Sequence, residues 1–132
     1  MKRVCKAHTD PFLKKFGMTV PEAHPTPFGY RVLVMPYAGP EKTKGGIILA
    51  DPTREVNQHG SCVAYVVQLG PDAYEDMDKF PNGPWCEAGD WVCIGKFAGT
   101  RLDVNGVEMR MFNDDEFLGG APDPEAIKRF TL

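Results

Sequence analysis

The hydrophobic pattern divides the chain into short apolar runs separated by polar segments rich in glycine and proline. Three runs are rich in β-branched or aromatic residues and end near turn residues: Tyr30–Met35, Ser61–Leu69 and Trp91–Ile94. The first of them is apolar on both faces, which is typical of a core strand in a barrel or sandwich. The pattern therefore predicts the core strands of a small β-barrel or sandwich.

The clearest turn signal lies further along the chain. Asn105-Gly106 separates the strand-like runs Arg101–Val104 and Val107–Phe112. This dipeptide is preferred in a type I′ hairpin turn, because both central residues of that turn need positive φ angles. Near the C-terminus, Asp123 before a proline suits a helix N-cap and predicts a short helix over Pro124–Phe130.

One apolar tripeptide stands in a polar environment. Ile47-Ile48-Leu49 follows Gly45-Gly46 inside the stretch Ala38–Gly60, which otherwise holds charged residues, glycines and prolines. Such a stretch buries too little apolar area to offset the entropy lost on ordering. The tripeptide is therefore either an edge strand over Gly46–Ala50 or an element that docks on an external partner.

Composition narrows the fold and the function classes. The chain has 132 residues, of which 42% are hydrophobic, and this suits a single domain. Its 14 Gly and 12 Pro disfavour long helices and support a turn-rich all-β fold. The net charge of −3 and the lack of a basic cluster disfavour nucleic-acid binding. No apolar run is long enough to span a membrane.

The sequence signals for metal, phosphate or catalytic sites are weak. Cys86 and Cys93 lie seven residues apart, which is not a zinc-knuckle spacing. Gly95-Lys96 is similar to the end of a phosphate-binding loop, but Phe97 stands where Ser or Thr must bind magnesium. The acidic residues within 72–78 lack the EF-hand spacing. The sequence thus predicts no catalytic residue, no metal site and no enzyme activity. Without a signal peptide, the four Cys are expected to be free thiols in the cytosol.

Four segments, in order along the chain, resemble the GroES-type co-chaperonins, the lids of group I chaperonins. They are Phe28–Val34, Glu41–Asp51, Gly89–Val92 with Gly95–Thr100, and Asn105-Gly106 with Asp114–Leu118. The resemblance implies a small GroES-like β-barrel over residues 27–119, with a mobile loop at about 38–60 and a roof excursion at about 70–90. Residues 1–26 would be an N-terminal extension, and 120–132 a C-terminal tail with a short helix.

The resemblance also implies a function. Family members form a ring, usually a heptamer, which caps a group I chaperonin and assists ATP-dependent protein folding. Gly45, Gly46, Ile47, Ile48 and Leu49 would bind the chaperonin at the groove where non-native substrate also binds. The chain itself would hold no cofactor, whereas the chaperonin would use ATP and magnesium. We expect a cytoplasmic protein with no membrane or nucleic-acid partner.

The terminal additions and the roof raise a second hypothesis. The segment Phe80–Cys86 resembles versions found in phage genomes, which would place the protein in the host cytoplasm. The alternative function is a structural or decoration protein of a virion that reuses the fold.

Overall fold

A computed structural model describes residues 18–38, 61–96 and 98–127. Its strands are β1 (Arg31–Pro36), β2 (Val63–Leu69), β3 (Trp91–Cys93), β4 (Thr100–Val104), β5 (Val107–Asn113) and β6 (Gly119–Gly120). They form one antiparallel sheet in the order β4-β5-β1-β2-β3-β6. The described part of the chain contains no α-helix, and hence no helix able to cross a membrane. The predicted all-β class is confirmed.

The predicted strands and the hairpin are confirmed with small shifts at their ends. β2 begins two residues later than the sequence indicated, because Ser61 precedes a bend. The Ser61 hydroxyl accepts a hydrogen bond from the Val63 N–H and donates one to the Val63 carbonyl, and such local bonds compete with a strand ladder. Asn105 and Gly106 have φ angles of 51° and 85°, as a type I′ turn requires.

The predicted C-terminal helix is not formed where the structure describes it. Residues 124–126 form a turn, and residues 128–130 lie outside the described part. Asp123 does act as a cap, because its Oδ1 accepts a hydrogen bond of 3.0 Å from the Glu125 N–H. Asp123 therefore caps a single turn and not the predicted helix.

The core lies on both faces of the sheet. Along β1, Leu33 and Met35 contact one cluster, while Val32 and Val34 contact the other. This explains why the strands are apolar at successive positions. The first cluster also includes Met18 and Val20. Part of the predicted N-terminal extension is therefore packed in the core.

The excursion over residues 70–90 folds back onto the sheet. Tyr74 and Phe80 are buried in the second cluster, and their rings meet edge to face at 4.8 Å. Asp114, which follows β5, accepts a 3.0 Å hydrogen bond from the Tyr74 N–H, and the φ angle of Tyr74 is 62°. The predicted turn at Pro81-Asn82-Gly83 is confirmed by a 3.1 Å bond from the Gly83 N–H to the Phe80 carbonyl.

Candidate functional site

The predicted partner-binding residues Gly45, Gly46, Ile47, Ile48 and Leu49 lie outside the described residues, so their role stays a prediction. They belong to residues 39–60, the part of the β1–β2 connection that the structure leaves undescribed. The structure does describe the two stretches that flank this segment, at the end of β1 and the start of β2. These two stretches form the base of the candidate site.

The two ends of the connection are held side by side. The Tyr37 N–H, just after β1, donates a 2.9 Å hydrogen bond to the carbonyl of Val63, the first residue of β2. Next to it, Pro36 pairs with Ala64 in the sheet. The Val63 carbonyl also accepts a 2.8 Å bond from the Ser61 hydroxyl. The chain thus leaves the sheet and returns to it at one place.

Aromatic packing fixes this base to the body. The buried Tyr37 ring meets the Trp91 ring of β3 edge to face, with centroids 5.6 Å apart. Tyr65 of β2 meets the same indole at 5.3 Å. Edge-to-face contacts contribute about 0.5–1.5 kcal/mol each beyond the burial of their area. The start of the connection is therefore anchored to two neighbouring strands.

A second fixed element is the turn after β3. Arg110 of β5 is fully buried, and its Nε donates a 3.0 Å bond to Glu108. Its Nη1 donates to the carbonyl oxygen of Lys96 at 2.9 Å and to that of Gly95 at 3.4 Å. Burial lowers the pKa of Arg110, and the bond to Glu108 opposes that shift. The Gly95-Lys96 segment thus uses its carbonyl groups to hold an arginine.

Sequence reasoning missed Tyr37, Trp91 and Arg110 as supports. One signal was available for Arg110, because residues two apart on a strand share a face and Glu108-x-Arg110 places opposite charges there. The aromatic contacts carried no comparable signal, since they join residues that are far apart in the sequence.

An apolar groove lies between the excursion and β6. It has a volume of about 290 Å³ and is lined by Trp85, Cys86, Val92, Phe117 and Leu118, with the two glycines of β6. Its lining brings no acid–base pair or nucleophile–base pair together. Across the described ranges, no group of three or more His, Cys, Asp or Glu side chains could hold a metal ion.

Three cysteines lie in the described part, and all carry free thiols. Cys62 and Cys93 are half-buried near the base of the connection, whereas Cys86 belongs to the excursion and is buried. The Cys86 sulfur lies 3.4 Å from the Tyr74 hydroxyl oxygen. Burial is the main cause of the raised pKa of Tyr74, and the contact with Cys86 raises it further. Burial also raises the pKa of Cys93.

Comparison with known proteins identifies the family to which this fold belongs. Residues 25–120 match the family described as the chaperonin 10 kDa subunit. The chain is 36% identical over 93 residues to a co-chaperonin GroES of Methylocella silvestris, covering 70% of this chain and 93% of the relative. A co-chaperonin GroES of Caulobacter vibrioides is 37% identical over 93 residues, which are 70% of this chain and 92% of that protein.

A third relative is co-chaperonin GroES 2 of Mesorhizobium japonicum, 30% identical over 103 residues that cover 78% of this chain and 94% of the relative. The matched range contains all four segments that carried the resemblance. The relatives are matched over nearly their whole lengths. The chain therefore belongs to the chaperonin 10 kDa subunit family, the co-chaperonins of GroES type.

Proposed function

We propose that this co-chaperonin assembles as a ring and caps a group I chaperonin, with Ile47-Ile48-Leu49 of each subunit as the docking element. Family membership over residues 25–120 is the observation that carries the proposal. The base at Tyr37 and Val63 supports it, since it holds both ends of the segment that carries the tripeptide to the sheet. The chain has no catalytic role and holds no cofactor; ATP and magnesium belong to the chaperonin.

Energetics favour many weak contacts over one strong contact. Burying three branched apolar side chains gives roughly 5–9 kcal/mol before costs. Ordering a segment on binding takes back about 2–5 kcal/mol or more. One docking element therefore binds weakly, while a ring makes each later contact intramolecular and gains in avidity. Weak single contacts also allow release when the chaperonin changes state.

The position of the tripeptide along the chain supports docking at a distance from the body. Ile47 is nine residues beyond Ala38, the last described residue before the segment. Nine residues can span at most about 30 Å, which is enough to reach a neighbouring protein. Gly45-Gly46, just before the tripeptide, has the backbone freedom to turn into a groove.

The virion hypothesis gains no support from the family match or from the relatives, which are co-chaperonins. The resemblance to phage versions stays a prediction. A cytoplasmic site of action, in a bacterium or in a phage host, fits the co-chaperonin proposal.

Electron microscopy of the purified protein tests the proposal. The protein is imaged alone and then mixed with a group I chaperonin, with and without ATP. We expect rings in the first sample and capped chaperonin particles only where nucleotide is present. Rings that never cap the chaperonin would contradict the proposed partner, and a monomer in both samples would contradict the assembly.

A further inference from the structure

Cys62 and Cys93 are neighbours across the β2–β3 pair. Val63 pairs directly with Cys93, and the Cys62 carbonyl accepts a 2.8 Å hydrogen bond from the Ile94 N–H. The two cysteines are thus diagonal neighbours on adjacent segments of the sheet. Standard strand spacings place their Cα atoms about 6 Å apart. Disulfides accept Cα separations of about 4.4–6.8 Å.

The two side chains also reach the same side of the sheet. Successive residues of a regular strand point to opposite faces, which would separate Cys62 from the face of Val63 and Cys93. Cys62, however, lies in the bend before β2, where Ser61 bonds to the Val63 backbone. Both cysteines pack against the same core cluster. Burial raises the pKa of Cys93, and the Cys62 thiol adds to that rise.

We propose that Cys62 and Cys93 form a reversible intramolecular disulfide when a peroxide is available as oxidant. One thiolate attacks hydrogen peroxide, so that an S–O bond forms, the O–O bond breaks and the leaving hydroxide is protonated to water. The second thiolate attacks that sulfur, so that the S–S bond forms, the S–O bond breaks and a second water leaves. The two thiols supply the two electrons that reduce the peroxide.

The bond would act on the base of the docking segment. Cys62 lies two residues beyond residue 60, where that segment ends, and Cys93 belongs to the strand on which Tyr37 packs through Trp91. The disulfide would tie the returning end of the connection to β3. It would close a covalent loop between two residues that are 31 positions apart in the sequence. Such a closure restricts the unfolded chain and raises stability.

The test is oxidation followed by mapping of the cross-link. The purified protein is treated with hydrogen peroxide and digested without reductant, and the peptides are identified by mass spectrometry. We expect a Cys62–Cys93 cross-link that a dithiol reverses. Cys62→Ser and Cys93→Ser abolish it, while Cys86→Ser retains it, since Cys86 lies against Tyr74 instead. Oxidation raises the thermal midpoint by several degrees in the wild type and in neither single-site Ser variant at positions 62 and 93.

Other results would overturn the proposal. These are thiols that stay free after treatment, cross-links that involve only Cys5 or Cys86, disulfides between chains, or oxidation of Cys62 to sulfinic acid without a cross-link. The readout does not involve a chaperonin, so a failed disulfide would leave the co-chaperonin proposal standing.

Discussion

The Tyr37 N–H donates to the Val63 carbonyl across 2.9 Å, although 26 positions separate the two residues along the chain (63 minus 37). This bond joins the end of β1 to the start of β2 where the sheet ladder stops. The segment that carries Ile47-Ile48-Leu49 therefore has a fixed base whatever that segment binds. The base contributes to the stability of the fold, whereas recognition is the role that we propose for the tripeptide.

Removing the aromatic anchor should destabilise the protein. Tyr37→Ala deletes a buried ring that contacts Trp91, so we expect a loss of about 3 kcal/mol in the free energy of unfolding. Tyr30→Ala is the matched control, because Tyr30 is 49% exposed and should cost well under half as much. Urea unfolding measures both variants. Equal losses would show that the contact with Trp91 does not anchor the base.

The buried ion pair should be costly to break from one side. Arg110→Met leaves the Glu108 carboxylate buried without its arginine, and we expect a loss of about 3–5 kcal/mol. Adding Glu108→Gln removes the stranded charge and should restore part of that loss. A double-mutant cycle from chemical unfolding gives the coupling between the two residues. Additive losses would mean that the coupling free energy between Glu108 and Arg110 is zero.

Gly99 should tolerate a methyl group poorly. Its φ angle is +83°, and a Cβ there would lie 2.9 Å from the Phe112 ring. Gly106 has a nearly identical φ of +85° but open space around the same position. We expect Gly106→Ala to cost about 1–2 kcal/mol from backbone strain alone. Gly99→Ala should cost about 1–3 kcal/mol more because of the clash. Thermal or urea unfolding compares the two, and equal costs would contradict the close approach.

The ion pair between the excursion and the β5–β6 turn should respond to acid. The hydrogen bond from Lys79 at 2.6 Å holds the pKa of Asp115 below its usual range. A lowered folded pKa means that the stabilising effect is present above the unfolded value, about 3.9, and is lost as pH falls through the lower folded value. In Lys79→Gln, NMR titration should show the Asp115 pKa returning upwards. The difference should shrink at about 1 M salt, since both groups are exposed to solvent. An unchanged Asp115 pKa in the variant would exclude Lys79 as its cause.

The sequence revealed those elements whose signals are local. The runs around Val32, Val66 and Val92 and the Asn105-Gly106 turn carry their own propensities, so the sheet strands and the hairpin were found. β6 could not be found this way, because Gly119 and Gly120 have low strand propensity and are held by pairing with Cys93 and Val92.

The candidate site divides in the same way. The tripeptide is predicted as a docking element because its environment in the sequence is wrong for a core residue, and that role stays a prediction. Its base could not be found, because the Tyr37–Val63 bond and the Tyr37–Trp91 contact depend on which strands become neighbours. Likewise, no local signal reveals that Met18, within the predicted N-terminal extension, is buried in the core.

The most direct test of the central claim is the affinity of the wild type and of Ile48→Asp for a nucleotide-loaded group I chaperonin. Val56→Asp, which places the same charge at an apolar position in the same segment but outside the tripeptide, is the matched control. Because every subunit of a ring would lose its docking contact, we expect Ile48→Asp to weaken binding by at least about 100-fold, while Val56→Asp stays within about threefold of the wild type. Thermal unfolding should be unchanged in both variants. Wild-type affinity in Ile48→Asp would contradict the role of the tripeptide.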